Sequence, residues 1–338
     1  MGNEKDKRGV ERKLGRGTLA RREFLRRSLL TAAGSVLAGE LGGWLREKAE
    51  AVEVQSRVVV VTADAVIREG QPERAQAAIV ERMLERGLCE LTGKSDPQAA
   101  WRTFFRPSDA VATCDAGFHL QNVPELTVAV LKGLAFAGVA KLKLGSQYVS
   151  WYNRFPRRCE PWVRAVKEGL KAANISDQVI GPALYQIPAR FAVEPFDALL
   201  VVCTLKPHYL CGVSGVVKHF CTLGKRGPRE YHGNAMVTAG SVLTTDFSRH
   251  RKLVVVDALR FAKTAKPHRP AEEYVYPKAL ILSPDPVAAD TVALDMFQQS
   301  GCRPHGAIPP RVHIEAADKR YHAGVSDLAR IEIRRVRM

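Results

Sequence analysis

Six short apolar runs rich in β-branched residues, set apart by stretches of helical periodicity, constrain this chain more than any other feature. They are Arg57 to Thr62, Ala110 to Cys114, Ala140 to Leu144, Leu199 to Val202, Lys252 to Asp257 and Lys278 to Ser283. Runs of that length and make-up predict buried strands. Residues 74–88 place Ala75, Ile79, Val80, Met83 and Leu84 at helical spacing. Asp96-Pro97 supplies an N-cap and a first-turn proline for a helix from Gln98 to about Phe105. Further helices are expected over Pro124 to Phe136, residues 161–173, Asp285 to about Ser300 and residues 311–322. In the third of these Asp285 is the N-cap, Pro286 the first residue and Gly301 the stop. Gln178 to Leu184 reads as a weaker strand or loop, and Ala329 to Val336 as a terminal strand. Strands alternating with helices of this length imply βαβ units. The expected fold is therefore α/β, a mainly parallel sheet flanked by helices, in two Rossmann-like halves over about 57–195 and 196–338.

Chemistry concentrates in Asp197 to His232. The strand Leu199 to Val202 leaves through Lys206, Pro207, His208 and Cys211 into Gly212-Val213-Ser214-Gly215, and an apolar-periodic segment with Lys218 and His219 follows. A strand entering a helix through a glycine turn aims backbone N–H groups and the positive dipole end outward, which predicts an anion site. Lys206 and Lys218 would neutralise a phosphate or carboxylate docked on that turn, with Gly212, Ser214, Gly215 and His232 around it and Arg229 giving a bidentate grip. A second reading of the same cluster is metallic. His208, Cys211, His219 and His232 are imidazole and thiolate donors suited to zinc, copper or iron. Asp257, at a strand end, would serve as a general base. Asp285 is either an orienting carboxylate or simply a helix cap. An enzyme reading requires Lys206, His208, Asp257 and Asp285 to converge on one cleft beyond the carboxyl ends of the strands. Asp290, one turn past Asp285, faces that cleft or solvent.

Several classes lack their signatures. There is no Gly-x-Gly-x-x-Gly, no phosphate-loop Gly-Lys-Ser/Thr, no Gly-x-Ser-x-Gly elbow and no His-Glu-x-x-His. Seven cysteines, Cys89, Cys114, Cys159, Cys203, Cys211, Cys221 and Cys302, include no Cys-x-x-Cys pair, so no ferredoxin-type iron–sulfur motif is present. Of the net charge of +16, residues 1–51 hold 12 Lys/Arg against 7 Asp/Glu, which leaves +11 for the rest. That surplus favours anionic partners in general. The basic residues are scattered without interleaved aromatics, so no nucleic acid is expected.

The first 51 residues read as a targeting segment ahead of a domain over 52–338. A polar, basic stretch ends in Arg21-Arg22-Glu23-Phe24-Leu25, and a weak apolar core over residues 29–39 follows. Adjacent arginines before Phe-Leu resemble a twin-arginine signal, with Ala49-Glu50-Ala51 as the cleavage site. The apolar core is short for a membrane span. Export by the twin-arginine translocation machinery is expected, to a periplasmic form or, with the signal uncleaved, a membrane-tethered form facing the periplasm.

Lys206-x-His208 with Gly212-x-Ser214-Gly215-x-x-Lys218 resembles the central motif of the DUF362 proteins, a family of unassigned function. Arg229 to His232, Leu253 to Asp257 and Ser283-x-Asp285-Pro286-Val287-Ala288-x-Asp290 match its later signatures in order. The lead-in Asp96-Pro97, Ala100-Trp101-Arg102, Phe105 and Pro107, with the twin-arginine leader, is similar to its exported branch. The resemblance runs from about residue 57 to 336. It departs from the family at Cys114-Asp115-Ala116, where relatives carry Lys-x-Asn, at Gly145-Ser146-Gln147, where they carry an aspartate, and at Lys218-His219, where they carry Lys-Asn. Taken with the residues of the cluster, the expectation is an exported protein of this kind that binds a small anionic ligand at the strand–turn–helix site, and the first hypothesis is an enzyme acting on that ligand with metal assistance. The alternative is a non-catalytic ligand-binding, cofactor-binding or accessory protein of the cell envelope, which the altered N-terminal half of the site favours.

Overall fold

The computed structural model describes residues 56–116, 121–139, 141–146, 156–175, 197–208, 211–222, 234–243, 251–263, 273–305 and 309–338. Strand β1 (Ser56–Thr62) leads into a ribbon of β2 (Ile67–Arg68) and β3 (Gln71–Ala75). Helices α1 (Ala77–Thr92) and α2 (Pro97–Phe104), strand β4 (Ala110–Ala116), helix α3 (Pro124–Ala137), strand β5 (Lys141–Ser146) and helix α4 (Pro156–Ala172) come next. The later part holds β6 (Ala198–Cys203), a hairpin of β7 (Lys206–His208) and β8 (Gly212–Ser214), and the short helices α5 (Val216–His219) and α6 (Ala235–Gly240). Then come β9 (Arg251–Ala258), a ribbon of β10 (Phe261–Ala262) and β11 (Tyr274–Val275), β12 (Ala279–Ser283), α7 (Pro286–Gln299), α8 (Val312–Lys319) and β13 (Ile331–Arg337). Gln178 to Leu184 lies outside the described residues, as do Arg21, Arg22, Arg229 and His232. Among the described residues no helix is long and apolar enough to cross a membrane.

Seven strands build one sheet in the order β13-β1-β12-β9-β6-β4-β5. Pairings β1 with β13, β6 with β9, β4 with β6 and β4 with β5 are parallel, and only β12 runs against its neighbours. The α/β fold expected from the alternating strands and helices is the one the chain adopts. The strand order interleaves the two expected halves. Strand β1 sits between β12 and β13, so the first and last described strands lie side by side in a single sheet. Period-two alternation sends each strand's residues to two cores. Val59, Val61, Leu200, Val202, Leu253 and Val255 face α1 to α4, whereas Val58, Val60, Leu199, Val201, Val254 and Val256 face α5, α7 and α8. Each fully buried side chain of this kind contributes about 1.5–3 kcal/mol of transfer free energy.

Two local expectations change for tertiary reasons. Arg74 and Ala75, expected at the start of the first helix, instead end strand β3 (Gln71–Ala75). Glu125 on α3 holds them, accepting from Arg74 Nε at 2.6 Å and from the Ala75 amide at 3.2 Å. The helix then starts at Ala77 and runs to Thr92, closed by Gly93 at φ 70°. Beyond β6 the expected glycine turn is the β7/β8 hairpin, with Gly212 at φ 75°, and α5 is one turn long before a 3-10 turn over Phe220–Thr222.

The topology contains one switch point. From β4 the chain goes outward through α3 to β5, then returns through α4 to β6 on the other side of β4. Helix α3 covers one face, and α5, which follows β6, covers the other. A crevice between the carboxyl ends of two such strands is where open α/β sheets bind ligands.

Candidate functional site

The position where an anion is expected, at the strand–turn–helix junction, is filled by one of the protein's own carboxyls. Asp290 on α7 is fully buried and accepts from the Val216 amide at 2.6 Å and the Val217 amide at 2.8 Å, the first N–H groups of α5. Asp290 therefore faces neither a cleft nor solvent. Gly215 makes the approach possible, since a Cβ there would stand 2.2 Å from Asp290 Oδ1. Its φ of −129° is open to any residue, so space alone demands the glycine. Burial pushes the Asp290 carboxyl up to about 7 despite the two amides, which favour the charged form.

Around this junction the basic side chains gather. Lys206, opposite Ser214 in the hairpin, and Lys218 on α5 are each only 5 % exposed. His219 is buried, and His208 is half-buried two residues along β7 from Lys206. Burial pushes His219 well below the usual imidazole range, and Lys206, Lys218 and His208 push it further in the same direction. The sequence thus located Lys206, His208, Gly212, Ser214, Gly215, Lys218 and His219 in one neighbourhood, and the fold brings them together.

The carboxylates do not join them as the enzyme reading required. Asp257 ends β9 at the same edge as Lys206, but it points to the α3 face. There it accepts from the Val123 amide at 2.8 Å, capping α3, and from the Leu259 amide at 3.0 Å. Burial lifts it to about 6. Asp285 lies at the opposite edge of the sheet, because β12 is antiparallel to β9 and carries it away from the register pair Leu280 and Asp257. It accepts from Val287 and Ala288 at the head of α7 and from Val325 at 2.9 Å. Asp285 is a helix cap, not a member of the cleft.

The described members of the metal set, His208, Cys211 and His219, do not assemble into a group able to hold an ion; among the described residues no three His, Cys, Asp or Glu side chains do. Burial raises the Cys211 thiol, which lies 3.4 Å from the Thr238 hydroxyl, and lifts Cys221 to about 11. Both thiols are therefore protonated in the metal-free protein.

Two residues escaped the sequence reading. His313 on α8 is wholly buried, and neither ring nitrogen has a hydrogen-bond partner. Burial first and Lys218 second push it down to about 4. An unmet buried polar group costs about 1–3 kcal/mol. The signal was its place on the apolar stripe Ile314, Ala316 and Ala317. Arg260, just beyond β9, is 9 % exposed and lies over the Tyr274 ring at 5.2 Å. A cavity of about 500 Å³ lined by Leu84, Trp101, Ala129, Lys132 and Phe136 opens between α1 and α3 on the opposite face. It is mostly apolar, and its Lys132 is paired with Glu81, so it lacks the chemistry of the basic cluster.

No curated protein and no solved structure matches the chain. Residues 168–295 match the family model described as Domain of unknown function (DUF362), a stretch that holds the β7/β8 hairpin, α5, Asp257, Asp285 and Asp290 but not His313. That match supports the DUF362 family for the part of the chain that carries Lys206 and Lys218.

Proposed function

We propose that the protein binds a small anion, a phosphate or carboxylate, at the basic cluster of Lys206, His208, Lys218 and His219. The observation that carries this reading is the burial of two ammonium groups beside imidazoles that they already disfavour from charging. Concentrated positive potential in a poorly solvated site is what an anion offsets. Binding is favoured over catalysis because Asp257 and Asp285, the expected acid–base carboxylates, are committed to helix N-termini. The metal-assisted alternative is less favoured, because its described donors do not gather around a common centre and stand among lysines.

Calorimetric titration of the full chain with phosphate, sulfate, acetate and succinate tests the reading. At least one is expected to bind with a sub-millimolar constant. Lys206→Met and Lys218→Met, which keep length and remove charge, are each expected to weaken binding about 10- to 100-fold, since a hydrogen bond to a charged group contributes about 1.5–3 kcal/mol. Wild-type protein that binds none of the four, or lysine variants that bind equally well, would overturn it.

The twin-arginine leader supports export through the translocation machinery, to a periplasmic or membrane-tethered form. Fractionation of an Arg21→Lys/Arg22→Lys variant is expected to find the protein in the cytoplasm. Undiminished periplasmic material would sink this part of the proposal.

A further inference from the structure

His313 is the buried group that the anion site leaves unexplained. A neutral imidazole has one N–H to give and one lone pair to fill, and this ring does neither. Buried polar atoms are nearly always partnered by protein, water or ligand. Helix α8 packs against α5, α6 and α7, which fixes the charged groups around the ring. From α5 come Lys218 and His219. Helix α6 carries no titratable side chain. From α7 comes Asp290, already held by the Val216 and Val217 amides, while Asp295 accepts from Gln299. On α8 itself Glu315 pairs with Lys319 at 3.4 Å, and Asp318 accepts from the Ser326 amide and hydroxyl. Lys218 is thus the charge that bears on the ring, and the acidic groups of these helices already have other partners.

Resting on the anion-binding reading, we propose that the anion enters beside Lys218 together with one proton, which His313 accepts to become a donor to it. The proton comes from solvent and forms an N–H bond on the unprotonated ring nitrogen; no bond in the anion breaks. In the free protein, burial and Lys218 hold the ring at about 4, so at neutral pH it is uncharged. A docked negative charge acts against both causes and lifts the ring above the pH range of the measurement, so that it is charged in the complex. The anion site accordingly extends from the hairpin and α5 to α8, past the end of the family match at residue 295.

Calorimetry of the full chain with sulfate and with acetate, in buffers of differing ionisation enthalpy, counts the protons taken up. Neither anion titrates appreciably from pH 6 to pH 7.5. About one proton is expected per anion bound, with affinity falling about tenfold per pH unit across that range. In His313→Gln the uptake is expected to vanish and the pH profile to flatten. Binding without uptake overturns the assignment and leaves the anion reading standing. Uptake that persists in His313→Gln assigns the proton to His208, His219 or Asp290 and overturns it as well. Failure of the wild type to bind sulfate or acetate overturns the assignment, and it removes the anion reading as well where phosphate and succinate also fail to bind. If the variant does not fold, the imidazole nitrogen shifts of the wild type decide, and a buried ring unchanged at saturation overturns the proposal.

Discussion

Gly215→Ala is expected to lower the unfolding free energy by about 4 kcal/mol, a large part of the 5–15 kcal/mol typical of a folded domain. The added methyl would meet Asp290 Oδ1 at 2.2 Å and Leu205 Cδ1 at 2.7 Å, so Asp290 must withdraw. Withdrawal breaks both bonds to the Val216 and Val217 amides and leaves a buried carboxyl and two buried donors unmet. Overpacking alone costs about 1–3 kcal/mol, and each unmet buried group adds to that. Chemical denaturation of wild type and variant measures the loss. A change below about 1 kcal/mol would mean that α5 and α7 separate without penalty, contrary to the packing of Val216 and Val217 against α7.

The second large effect depends on pH. Asp290 has a folded value of about 7 against 3.8 for an ordinary aspartate. Between those values the folded state holds more protons than the unfolded state. Its contribution to stability is therefore complete below about pH 4 and is lost as pH rises through 7. Asp257, lifted to about 6, acts with the same sign. His313 acts oppositely: with a folded value of about 4 against 6.5, its contribution is complete above pH 6.5 and lost as pH falls towards 4. In the wild type these slopes oppose one another, and the pH profile of the whole protein hides them. The comparison with Asp290→Asn isolates one of them. Wild-type stability minus variant stability is expected to fall by about 3 kcal/mol from pH 4 to pH 7, at about 1.36 kcal/mol per displaced unit with the slope rounded off at both ends of that window. Urea titrations of both proteins at pH 4, 5.5 and 7 read this directly. A constant difference would show Asp290 ionised throughout, its two amide bonds outweighing burial.

These two effects and the anion reading meet at one junction, and each has a separate readout. Gly215→Ala tests the space between α5 and α7. Asp290→Asn tests the charge there, and Lys206→Met and Lys218→Met test the ligand. A variant that loses anion affinity with its unfolding midpoint unchanged has lost a contact with the ligand and not the fold that carries it.

Strands and helix starts were legible because they depend on neighbours in the chain. Val58 to Val61, Leu199 to Val202 and Leu253 to Val256 are apolar on both sides, as strands covered on both faces must be. Asp96-Pro97 and Asp285-Pro286 announce their helices because cap and first turn sit side by side. The basic cluster was legible for the same reason, since Lys206 to His219 spans one hairpin and one helical turn. What the sequence by itself determined about this protein, then, is its α/β class, the position of most elements and the concentration of charge after β6.

Tertiary structure alone decided which distant groups meet. Asp290 reaches Val216 across 74 positions and Asp257 reaches Val123 across 134, distances over which no local pattern carries information. Reversal of β12 sends Asp285 to the far edge of the sheet, although the strand before it reads like every other. His313 comes within electrostatic reach of Lys218 because α8 packs on α5, a contact made by the apolar residues of both helices. Side-chain periodicity tells a chain what to bury, whereas the partner it is buried against is chosen only when the sheet closes and the layers pack.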